Sequence, residues 1–72
     1  MAKQNEVDIR GEVVELLLDI VANDRYPSGT MLGMIEQLAT QEERVVYARV
    51  LMDNIRSSPH PSIPMMRRLL TL

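Results

Sequence analysis

Apolar residues early in the chain recur at Ile9, Val13, Leu16, Leu17, Ile20 and Val21. This three-and-four spacing is that of a helix with a wide buried face. Glu12, Glu15 and Asp19 share the spacing and form one solvated stripe on the other side. The pattern predicts a helix from Asn5 or Asp8 to Ala22, in which Gly11 costs about 1 kcal/mol relative to Ala. It breaks at Asn23-Asp24-Arg25-Tyr26-Pro27-Ser28. Asn23 suits a left-handed position at the helix end, and Pro27 holds Tyr26 extended. Ser28 is placed to cap a second helix over Gly29–Ala39, burying Met31, Leu32, Ile35 and Leu38.

Thr40-Gln41-Glu42-Glu43 carries the capping-box signature, in which Thr40 and Glu43 each satisfy the other's backbone N–H. A third helix is predicted from there to Arg56, burying Val45 or Val46 with Ala48, Leu51, Met52 and Ile55, and pairing Arg49 with Asp53 four residues on. Ser57-Ser58-Pro59-His60-Pro61-Ser62 repeats the turn chemistry. Ser62 caps a fourth helix, Pro64 occupies its first turn without losing a ladder donor, and Met65, Met66, Leu69 and Leu70 are expected to face inward. Leu72 has no following residue to cover it.

The second half is a diverged copy of the first. With a shift of 34 positions, residues 8–38 overlie residues 42–72 with seven identities in 31 pairs. Three of these form a Pro-Ser-x-x-Met core: Pro27, Ser28 and Met31 against Pro61, Ser62 and Met65. Apolar character follows the same register, with Leu16 on Val50, Leu18 on Met52, Val21 on Ile55 and Ile35 on Leu69. The expected fold is therefore all-α, one domain over residues 1–72 with residues 1–6 as a flexible arm. Four short helices form two tandem helix–turn–helix repeats (8–38 and 42–72), packed about an approximate twofold axis through the long helices. Two stacked helix pairs of a solenoid are the alternative, since a repeat that cannot bury its own face needs a neighbour. The period equals that of tetratricopeptide repeats in length alone, because the Trp, Gly and Tyr positions of that consensus are not filled.

Composition limits the core. The chain has 72 residues and 46% hydrophobic residues, with no Phe, no Trp, two Tyr and six Met. Folding is expected, but with only about 3–5 kcal/mol of net stability, so self-association, a homodimer in the first instance, would help. No cysteine is present, which removes disulfides, thiol nucleophiles and Cys-based zinc sites. Without a signal-like or membrane-spanning stretch, a cytoplasmic location is the expectation.

The net charge of −2 is unevenly divided. The first half is acidic and the second carries Arg44, Arg49, Arg56, Arg67 and Arg68 against Glu42, Glu43 and Asp53. Either the repeats attract one another or the second presents a basic docking surface.

Catalysis has little to stand on. Ser28 and Ser62 are explained as caps, and the three glycines at 11, 29 and 33 form no phosphate loop. His60, the single histidine, has no second His or Cys for a metal and occupies the repeat position of Tyr26, which suits packing at the turn. Asp8, Glu12 and Glu15 on one helix face read as solvated charge. No catalytic residue, cofactor or metal is therefore expected. The expected function is a small non-catalytic protein–protein interaction module (an adaptor, regulator or inhibitor) with an unidentified protein partner. Its binding surface is expected to combine the Tyr26–Pro27 and His60–Pro61 turns with an exposed Met34, and Arg67 and Arg68 as rim charges; methionine adapts well to a partner surface. A helix–turn–helix DNA-binding regulator is the alternative, weakened by the acidic balance.

Overall fold

A computed structural model describes residues 8–24, 26–60 and 62–72; the expected flexible arm, a helix start at Asn5, and Pro61 lie outside them. Four helices follow one another: α1 (Ile9–Asn23), α2 (Gly29–Leu38), α3 (Gln41–Ser57) and α4 (Ile63–Leu70). Each starts on the side chain the sequence provides. Asp8, Ser28, Thr40 and Ser62 accept from the backbone N–H of Gly11, Met31, Glu43 and Met65 respectively. At Thr40 both halves of the capping box form, with Thr40 N donating to Glu43 Oε1 at 2.8 Å. Asn23 is the last residue of α1, no described residue has positive φ, and the cap is an extended Asp24. The left-handed ending expected at Asn23 is thus not used; its side chain donates instead to the Asp19 carbonyl at 2.8 Å.

The core comprises Val14, Leu17, Leu18, Val21, Leu32, Ile35, Tyr47, Leu51 and Met65. It differs from the sequence expectation in which arc of each long helix is buried. In α1 the buried residues are Val14, Leu17, Leu18 and Val21, whereas Ile9, Leu16 and Ile20 are exposed, Leu16 by 59%. α1 is apolar over more of its circumference than its neighbours cover, so spacing alone does not choose the buried side. In α3 Tyr47 is fully buried while Val45, Val46 and Met52 are exposed. In α4 Met65 is buried, Met66 and Leu69 are half-buried, and Leu70, expected inside, is 87% exposed. Asp53 pairs at 3.7 Å with Arg56 and not with Arg49 as expected.

α1 packs on both α2 and α3, and α3 on α4. The two long helices run parallel. Arg10 meets Glu43 at their N-terminal ends, and Asn54 meets the Val21 and Asp24 carbonyls at their C-terminal ends. Gly11, Val14, Leu18 and Ala22 of α1 line the grooves of this joint, opposite Glu43, Val46, Val50 and Asn54 of α3. A twofold axis would bring equivalent positions together. Shifted by 34, the α1 set becomes Val45, Ala48, Met52 and Arg56, none of which lines either groove. Asn23 and Ser57 are the one equivalent pair among the lining residues, so the grooves set mostly unlike positions of α1 and α3 head to tail and give the expected twofold axis no support.

Candidate interaction surface

Two polar links hold the helices in place. Arg10, from α1, donates to the Leu38 carbonyl that ends α2 at 2.8 Å and to Glu43 Oε1 in the first turn of α3 at 2.7 Å. The guanidinium and the Thr40 N–H together hold the Glu43 carboxyl down at about 2. Arg68, from α4, donates from a single nitrogen, Nη1, to both oxygens of Glu36 on α2 at 2.7 and 2.8 Å, a charge-assisted contact. The phenol of Tyr47 donates to the same carboxylate at 2.6 Å, and Arg44 donates to the Glu36 carbonyl at 2.9 Å. Burial, and then the adjoining carboxylate, raise the Tyr47 phenol well above its ordinary range. Among the described residues no buried side-chain nitrogen or oxygen lacks a partner.

Beside the second link lies a cleft of about 220 Å³. Residues of both turns line it, so Tyr26 and His60, equivalent under the sequence shift, share the same space with Pro27, Leu32, Pro64 and Met65. Tyr26 is 74% exposed, and its N–H donates to the Asp24 carboxylate at 3.0 Å, which sets the turn. The Ser58 hydroxyl fixes His60 by donating to its carbonyl at 2.9 Å and accepting from its N–H at 3.2 Å. Asn54 reaches across from α3 and donates to the Asp24 carbonyl at 2.8 Å, holding the first turn against the second helix pair.

The expected site residues are thus only partly brought together. Tyr26, Pro27 and His60 share the cleft, which Arg68 also lines. Arg68 is a tied residue of the Glu36 link and not a rim charge, as its reach to Glu36 replaces solvent with a carboxylate. Arg67 is exposed and lies off the cleft, and Met34 is exposed on α2 outside it, next to Gly33, around whose Cα nothing crowds. Pro61 lies outside the described residues. Sequence reading missed Asn54, Tyr47 and Glu36, because each acts across 11 to 32 positions of the chain. Their one signal was breaking the repeat: they stand opposite Ile20, Val13 and Leu70 under the 34-residue shift.

Among the described residues no group of three or more His, Asp or Glu is arranged to hold a metal ion, and no helix is long and apolar enough to cross a membrane. Comparison of the chain with protein-family models, with curated proteins and with solved structures gives no match.

Proposed function

We propose that the protein is a small non-catalytic interaction module, an adaptor, regulator or inhibitor, that receives an apolar side chain or turn of a protein partner in the cleft between its two Pro-containing turns. The observation that carries this reading is the cleft itself: Tyr26, Pro27, Pro64 and Met65 give it an apolar lining, which the rings of Tyr26 and His60 share. At about 220 Å³ it is smaller than the roughly 300–1,000 Å³ of small-molecule sites, and suits one large side chain. Exposed aromatic residues over a recess are the usual anchors of protein recognition. Of the ionisable groups that line it, Arg68 is engaged with Glu36, which also holds Tyr47, and this favours a structural role for these three over acid–base chemistry.

The test is capture of partners on tagged protein, with and without nuclease, alongside a Tyr26→Ala variant. A protein retained through nuclease treatment and lost with Tyr26→Ala supports the module. Retention that disappears with nuclease instead assigns the protein to nucleic acid.

A further inference from the structure

We infer that a second copy of this chain docks head to tail, laying the free face of its α1 on the free face of α3, and so repeats between molecules the joint that α1 and α3 make within one. The internal joint uses one face of each long helix, and the 34-residue shift identifies what the other faces are. The α3 surface that docks on α1 (Glu43, Val46, Val50 and Asn54) corresponds to Ile9, Glu12, Leu16 and Ile20 of α1, all exposed. The α1 surface that receives it (Gly11, Val14, Leu18 and Ala22) corresponds to Val45, Ala48, Met52 and Arg56 of α3, where Val45, Met52 and Arg56 are exposed. Each molecule therefore carries one unused copy of both halves of a joint it already makes.

The chemistry of the two faces agrees with that placement. In the internal joint Glu43 and Val46 lie against Gly11, Val14, Glu15 and Leu18. Transferred by one repeat, Glu12 of the incoming copy comes beside Arg49. Asp53 lies by Ala22 in the internal joint, so Asp19 of the incoming copy comes beside Arg56. The α1 face is acidic and the α3 face basic, which favours this pairing over like on like. The polar link between repeats has an apolar counterpart at the transferred positions. Glu36 and Arg68, which join α2 to α4, correspond to Leu70 and Met34. Both of these are exposed, and the ionic contact within the chain becomes an apolar contact between copies. One joint accounts for seven of the eleven large apolar side chains left exposed, more than a monomer has reason to leave in water.

A joint between unlike faces does not close on itself at two copies, so assembly grows into rings or filaments. Sedimentation from micromolar to millimolar protein is expected to show a mass that rises without stopping at a dimer, and falls with added salt. Leu16→Glu blocks one face and Met52→Glu the other, with Val45→Glu as a second variant of the latter face should Met52→Glu lose helicity. Each variant alone is expected to be monomeric, because every joint then lacks one half. Mixed, they retain one complementary pair of faces and are expected to form a one-to-one dimer and nothing larger. A wild-type protein that stays monomeric throughout, a dimer that grows no further, or variants that fail to recombine would each overturn the inference. The cleft takes no part in this joint, so either result leaves the partner-capture experiment to stand separately.

Discussion

Tyr47 of α3 donates a 2.6 Å hydrogen bond to Glu36 of α2, and the same carboxylate receives Arg68 of α4. One carboxylate thus ties three helices, and burial together with that carboxylate raises the phenol, which favours its protonated, donating form. Tyr47→Phe keeps the ring and is expected to cost about 1.5 kcal/mol, the lower end for a bond to a charged acceptor, since the half-exposed carboxylate keeps Arg68 and water. Tyr47→Ala also opens a cavity and is expected to cost about 3–5 kcal/mol, comparable to the whole stability of a domain this small. Urea titration followed by circular dichroism should find the first variant folded and the second largely unfolded in buffer.

Glu43 gives the protein an acid-sensitive link. Its carboxyl is held at about 2, against an ordinary 4.5, by Arg10 and the Thr40 N–H. A carboxyl with a lowered folded value contributes stability that is complete above its unfolded value and is lost as pH falls through the folded one. Melting temperature should therefore fall between pH 4.5 and about 2. Glu43→Gln should melt lower at neutral pH, vary less across that window, and meet the wild-type curve at its acid end. Parallel curves would show that Glu43 is not the group responsible.

Two glycines should respond differently. A Cβ at Gly33 meets nothing within 4 Å, so Gly33→Ala is expected to stabilise by about 0.5–1 kcal/mol through helix propensity and a less flexible unfolded chain. A Cβ at Gly11 would stand 2.4 Å from Asp8 Oδ2, the cap of α1. Displacing that cap costs about 0.5–2 kcal/mol and cancels or outweighs the same gain. Thermal melts of the two variants should separate them.

Asn54→Ala removes the donor to the Asp24 and Val21 carbonyls. A loss of about 1–2 kcal/mol is expected in denaturant titration, together with a loosened Tyr26 turn. Under the proposed function, partner retention should fall by more than the stability change alone explains.

The elements were legible in the sequence because their determinants are local. Asp8, Ser28, Thr40 and Ser62 each act within four residues, and all four helices begin where those side chains allow. The all-α class and the pairing of the two turns follow from the same short-range signals. The buried arc did not follow. Leu16 and Leu17 are neighbours of equal hydrophobicity, yet one is exposed and the other buried, a choice made by the position of α2 and α3 and invisible in the period of α1. Tyr47 was equally unreadable, since its partner lies on another helix and its repeat position holds Val13. Of the expected binding residues, Tyr26, Pro27 and His60 were brought to a common cleft, because the Pro-Ser pattern fixes where helices end, whereas Arg68 lines it while held by a carboxylate 32 positions away.

The slight anchorage of α4 has a consequence for how the molecule breathes. This helix packs mainly on α3, buries Met65 alone, and is pinned to α2 by a single guanidinium. Its amide protons should exchange with solvent before those of α1 and α3, through an opening that leaves the other three helices paired. Pro64 and Met65 leave with it, so one wall of the cleft exists only while α4 is closed. A partner that fills the cleft therefore latches the last helix by mass action, and slowed deuterium uptake confined to residues 63–70 would report occupancy without any change in the remainder of the chain.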